Sequence, residues 1–181
     1  KQVVGKRQMR VCYFGAYKPE YPRNHILRTG LAANGVEVVE CRVSKHRPTI
    51  QRAPLLINQY RQVWRRCDVL LLAEFGQSLA PVAWALARLT RRPLIADMLV
   101  SYYDLAVEVR RTVKAGSWQA RRYFWFDALA VRMSNAALAD AEPHRQYFID
   151  VFGAQPERMH VVPLGVDDAH FVMQPRREAS Q

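Results

Sequence analysis

The chain has 181 residues, half of them hydrophobic, with 4 Trp, 8 Tyr and 7 Phe, which is enough apolar surface for one sizeable core and about one domain. This composition excludes disorder and collagen-like repeats, and no apolar run approaches the roughly 20 residues that span a bilayer. The 27 Lys and Arg, 22 of them Arg, outnumber the 16 Asp and Glu to leave a formal charge of +11, which points to an anionic partner or to a solvated basic face.

The pattern alternates strand and helix. Residues 10–15 (RVCYFG) form a short apolar run ending in glycine, read as a buried strand, followed by a helix over 24–34 with Asn24 as its N-cap and Asn34-Gly35 as its stop. Residues 36–42 read as a second strand. Pro48 and Pro54 punctuate a loop, after which Leu56, Tyr60, Val63 and Trp64 recur at helical spacing. The nearly continuous apolar run 68–74 suits a central strand of a parallel sheet. A helix opened by Ser78 and Pro81, a strand over 93–97, a helix over 101–113, a break at Lys114-Ala115-Gly116 and a longer helix over 118–133 follow. A strand over 136–140, a helix over 143–152 and a last strand over 159–163 close the pattern.

Six short strands alternating with helices predict a Rossmann-like, doubly wound parallel sheet of α/β class, in three layers with helices on both faces. Residues 10–171 make up the domain, while 1–9 and 172–181 are polar, lack periodicity and are expected to be flexible, the second forming a tail or the start of an interdomain crossover.

Ligands of such sheets bind beyond the carboxyl ends of the strands, and here those segments are polar and aromatic: 15–24, 74–77, Asp97 with Ser101 and Asp104, and 140–144. The first is not a dinucleotide fingerprint, having Gly15 alone, and no GxxxxGK[ST] loop occurs. An anion could meet the free N–H groups of the helix starting near Asn24, with Arg23 adding charge; alternatively Asn24 only caps the helix and Gly15 only permits a turn. Asp97, a carboxylate ending a buried strand, could accept a proton or a substrate hydroxyl; alternatively it caps the next helix or pairs with a nearby Arg. His144 reads as a helix first-turn residue. The five His show no ligand spacing, no Asp-x-Asp pair occurs, and Cys12, Cys41 and Cys67 lack CxxC spacing, so neither a metal site nor a disulfide framework is expected. GxSxG is absent.

RVCYFGAYKPEYPRN, LRTGLAANGVEVVECR, LIADMLVSYYDL, SNAALADAEPHRQYFIDVFG and above all PERMHVVPLGVDDAHF together resemble the N-terminal domain of family-4 glycosyltransferases of the two-domain B-type fold. The Pro163, Gly165, Val166, Asp167 and Phe171 pattern resembles that family's crossing from the acceptor-side domain to the sugar-nucleotide domain. The resemblance runs over about residues 10–171, so it implies an acceptor-binding half whose donor half lies outside these residues. The chain departs from common members after the fourth strand, where Asp97-Met98-Leu99 stands in place of a histidine.

The resemblance implies sugar transfer from a nucleotide-sugar donor without a metal and without a cofactor beyond that donor. It implies Asp97 as the catalytic residue and Gly15, Tyr17, Arg23, Asn24, Glu74, Asp104, Glu142 and His144 as substrate-binding groups. The acceptor would be a sugar or a lipid-linked group. The setting would be cytoplasmic, with contact to an anionic membrane surface suggested by cations beside Trp64, Trp118, Phe124 and Trp125; core burial of those rings is the alternative. The rival function is a non-enzymatic basic module for anionic ligands such as nucleic acid or a membrane surface, though no helix-turn-helix, RNP-like or zinc pattern supports a nucleic-acid partner.

Overall fold

A computed structural model describes residues 8–165. Val166, Asp167 and Phe171 of the crossover pattern lie outside that range, as does most of the two expected flexible segments. Six strands, β1 (Arg10–Gly15), β2 (Glu37–Arg42), β3 (Val69–Leu72), β4 (Leu94–Leu99), β5 (Ala136–Ala139) and β6 (Met159–Val161), form one all-parallel sheet in the order β2-β1-β3-β4-β5-β6. Five α-helices connect them: α1 (Pro22–Ala33), α2 (Thr49–Val63), α3 (Ala80–Thr90), α4 (Trp118–Met133) and α5 (Glu142–Phe152).

The order places the helices. The chain moves outward from β1 to β2, then returns past β1 and continues through β3 to β6. Crossovers of one hand therefore put α1 on one face and α2 to α5 on the other. Side-chain alternation along the strands agrees. Cys12 and Phe14, Leu70 and Leu72, and Leu94, Ala96 and Met98 join the large core under Leu56, Tyr60, Leu86, Phe148 and Phe152. Val11, Tyr13 and Leu71 turn the other way, toward Leu27 and Leu31 of α1.

Several boundaries differ from the sequence expectation for local reasons. α1 begins at Pro22, whose fixed φ and missing N–H suit a first helical position, so Asn24 lies inside the first turn and caps nothing. α2 begins at Thr49 and carries Pro54 within it, at the loss of one backbone hydrogen bond. The helix expected over 101–113 is reduced to a short stretch containing a π-helical segment at Asp104–Val109, with the Arg110 N–H bonded to the Leu105 carbonyl (2.9 Å), and Arg111 follows at φ 51°. α4 matches its expected bounds, with Ser117 as N-cap accepting from the Ala120 N–H at 3.1 Å.

Candidate functional site

The strand order reverses between β1 and β3, and the crevice beyond their carboxyl ends is where open α/β sheets bind ligands. Close packing there depends on glycine. A Cβ on Gly15 would come within 3.2 Å of the Ala73 Cβ, and one on Gly76 within 2.6 Å of the Ala73 carbonyl oxygen. The loop after β1 thus packs directly on Ala73, and the loop after β3 turns tightly back on its own strand end.

Under this crevice lies a buried polar frame. The Tyr13 hydroxyl donates to Asn24 Oδ1 (3.0 Å), and Asn24 Nδ2 donates to the Lys18 carbonyl (2.9 Å) and to Glu74 Oε1 (2.7 Å). Lys45 Nζ reaches Glu74 Oε1 at 3.1 Å and sits 5.4 Å from the centre of the Phe75 ring. Burial pushes the Glu74 carboxyl above its ordinary range, opposed by Asn24 and Lys45.

One strand over, Arg23 and Asp97 form a fully enclosed pair, each about 1% exposed. Arg23 Nη2 donates to Asp97 Oδ1 (2.8 Å) and Nε to Oδ2 (3.0 Å), while Nη1 donates to the Val162 carbonyl and lies 3.5 Å from that of Pro163. Burial raises the Asp97 carboxyl, with Arg23 and the Leu99 N–H opposing. A register shift between Asp97 and Leu99 in the β4–β5 pairing, with Leu99 at φ 52°, shapes this strand end. Both carboxylate oxygens are engaged by one guanidinium away from solvent. This geometry fits the pairing alternative: Asp97 fixes Arg23, and Arg23 holds the chain where it leaves β6.

A third buried carboxylate, Asp127 of α4, organises the segment after β4. It accepts from Ser101 Oγ (2.8 Å) and from the N–H groups of Tyr102 (3.2 Å) and Tyr103 (2.9 Å). Burial outweighs these bonds and pushes its pKa up to about 6. The result is a fixed Tyr102, stacked on Phe75 with ring centres 5.8 Å apart and donating its hydroxyl to the Phe75 carbonyl.

Tyr102 and Phe75 form one wall of an open cleft of about 710 Å³. Tyr21, Tyr123 and Phe126 extend the aromatic lining, and Arg52, Arg110 and Arg122 supply its charge. Arg122 lies 4.9 Å from the Trp118 ring centre and 5.8 Å from that of Tyr123.

The remaining sequence candidates are dispersed. Tyr17 is buried on the α1 face, edge-on to Tyr13 at 5.0 Å and donating its hydroxyl to Glu40 Oε2 at 3.1 Å, so it does not line the cleft. Asp104 is half-buried outside the lining, and its N–H donates to Ser101 Oγ at 3.0 Å. Glu142 is exposed and pairs with Arg145 at 2.7 Å, and His144 Nδ1 pairs with Asp140, both at the β5 end. Lys45, Phe75, Tyr102, Asp127 and the three cleft arginines are site residues that sequence reading did not single out for this role. The Tyr102-Tyr103 pair just past β4 was the available signal. Among the described residues no group of three or more His, Cys, Asp or Glu is placed to hold a metal ion, and no helix is long and apolar enough to cross a membrane.

A doubly wound sheet with a polar frame at its switch point and an aromatic cleft beside it defines a Rossmann-like α/β domain. The chain belongs to the glycosyl transferase 4-like domain family, which matches residues 6–165. No curated protein matches the sequence significantly. Solved structures of HepE from Anabaena share the fold. The complex with UDP and glucose has a TM-score of 0.57 at 15% identity, covering 93% of this chain and 48% of HepE. The complex with UDP-glucose has a TM-score of 0.57 at 17% identity, covering 93% and 47%. The complex with UDP alone gives 0.53 at 15% identity. The chain thus spans about half the length of the HepE chains it matches.

Proposed function

We propose that this chain is the acceptor-binding half of a glycosyltransferase that moves a sugar from a nucleotide-sugar donor to an acceptor seated in the aromatic cleft. The observation that carries this reading is the cleft itself, about 710 Å³ beside the switch point, in a chain of the glycosyl transferase 4-like family. HepE, a structural neighbour, was solved in complex with UDP and glucose and with UDP-glucose, which supports a nucleotide sugar as donor. Transfer proceeds without a metal or other cofactor, the donor diphosphate being stabilised by protein cations and helix N-termini, mainly from a second domain.

Within this half, Gly15 lets the loop after β1 pack against Ala73, and the Asn24, Glu74 and Lys45 frame fixes the crevice floor. Asp97 acts through Arg23 as a positioning residue for the exit of β6. Tyr102, held by Asp127, presents its ring to the acceptor. Glu142 and His144 belong to the rim at the β5 end. Trp118 and Trp125 are 72% and 55% exposed beside Arg121 and Arg122, which supports contact with an anionic membrane surface carrying a lipid-linked acceptor. Flotation with anionic vesicles at low and high salt checks that contact, and indifference to lipid charge removes it.

Calorimetry of this chain with uridine, guanosine and adenosine diphosphate sugars tests the assignment of the half. Weak or absent binding, with transfer restored once the donor domain is supplied, is expected. Tight binding to this chain, or transfer by it unaided, overturns the assignment.

A further inference from the structure

We infer that the acceptor carries a phosphate ester, gripped by Arg110 and Arg122 at the cleft while its sugar ring lies against the aromatic wall. The inference rests on the acceptor-half reading and adds the chemical class of the acceptor. Three guanidinium groups line the cleft, Arg52, Arg110 and Arg122, and among the described residues no carboxylate lines it. Three buried carboxylates around it are committed elsewhere: Glu74 to Asn24 and Lys45, Asp127 to Ser101 and two backbone N–H groups, Asp97 to Arg23. Asp104 and Glu108, on the segment that leads to Arg110, lie outside the lining, and Glu108 faces the Tyr147 hydroxyl at 3.5 Å. Among the described residues neither Arg110 nor Arg122 has a carboxylate partner.

A neutral sugar presents hydroxyls that both donate and accept, and its sites usually mix acceptors with donors. Guanidinium groups only donate, so a lining with three of them and no carboxylate matches a ligand rich in acceptor oxygens and in negative charge. Three cations exceed what a single carboxylate requires, whereas a phosphate or diphosphate ester offers more charge and more oxygens. The positions are also partly preorganised. Arg52 is fixed by donating to the Arg47 carbonyl (2.9 Å) and the Lys45 carbonyl (2.7 Å), and Arg122 rests among the rings of Trp118, Tyr123 and Phe126. A volume of about 710 Å³ leaves room beyond the anion for a ring stacked on Tyr102 or Tyr123.

Calorimetry of this chain with glucose 1-phosphate, pyrophosphate and glucose tests the inference. Glucose 1-phosphate should bind, pyrophosphate should compete with it, and glucose should bind at least tenfold more weakly. R110Q and R122Q should each weaken the ester roughly tenfold, the loss of one charge-assisted contact, at unchanged Tm. R91Q, an exposed cation at the opposite end of the sheet, should leave binding unchanged. A prenyl phosphate in neutral micelles, compared with the soluble ester, tells a lipid-borne phosphate from a free one, and binding of either supports the inference. Glucose binding as tightly as its phosphate, or R91Q weakening binding as much as R122Q, overturns it. Failure of every ester to bind while the two-domain enzyme transfers sugar refutes the phosphate and leaves the acceptor half standing. Ester binding to this chain, with no transfer even when the donor domain is supplied, refutes the acceptor half and leaves the anion site standing.

Discussion

Arg23 and Arg122 stand at the same end of the sheet in opposite surroundings. Arg23 is enclosed, its guanidinium divided between the Asp97 carboxylate and the carbonyl groups after β6. Arg122 is exposed, rests on aromatic rings and has no carboxylate partner among the described residues. A charge removed from water must be fully paired, so the first arginine belongs to the frame. A charge kept at a cleft is available to a ligand. The same residue type thus builds the site in one place and faces the ligand in the other.

Breaking the frame should have the largest effect. R23A leaves Asp97 buried without its partner, and D97A does the reverse. Each should cost about 3–5 kcal/mol in urea unfolding, as is usual when one member of a buried pair is removed. A loss below about 1 kcal/mol with turnover of the complete enzyme abolished would move Asp97 from the frame to the chemistry.

Asp127 offers a pH test of the same contrast. Its pKa is raised to about 6 in the fold, so the folded chain holds a proton there that the unfolded chain releases nearer 4. Its contribution is therefore fully present below the unfolded pKa and is lost as pH rises through about 6, a change on the order of 2–3 kcal/mol. The stability of the parent relative to Asp127→Asn should fall by that amount between pH 4 and 8, since the other buried carboxyls, Glu74 and Asp97, are present in both. Parallel curves would show that Asp127 does not titrate in this window.

Smaller effects follow at the loops and the cleft. Gly76→Ala forces a Cβ to 2.6 Å from the Ala73 oxygen, so thermal melts should show a loss of about 1–3 kcal/mol. R122Q should change stability by less than about 0.5 kcal/mol, because an exposed cation without a carboxylate partner contributes little to the fold. A loss as large as that of R23A would erase the distinction between frame and cleft.

By itself the sequence determined the layered α/β architecture, because apolar periodicity, glycine stops and strand length are local properties that fold class follows. Six strands, the limits of α4 and the resemblance to family-4 glycosyltransferases were all legible in it. It also pointed to the right loops, since ligand segments of such sheets follow the strands. What each side chain does there was decided only by tertiary structure. Asn24 looked like a helix cap because it precedes an apolar period, yet Pro22 starts the helix earlier and turns Asn24 toward Glu74. Asp97 finds Arg23 across 74 positions of sequence, and Asp127 reaches back from a helix to bind the turn at Ser101. Trp118 and Trp125 are at the surface, although their helical spacing also fitted a core. Pairing and burial depend on which strands become neighbours, and that is fixed only when the chain reverses its winding at β1 and brings distant loops to one end of the sheet.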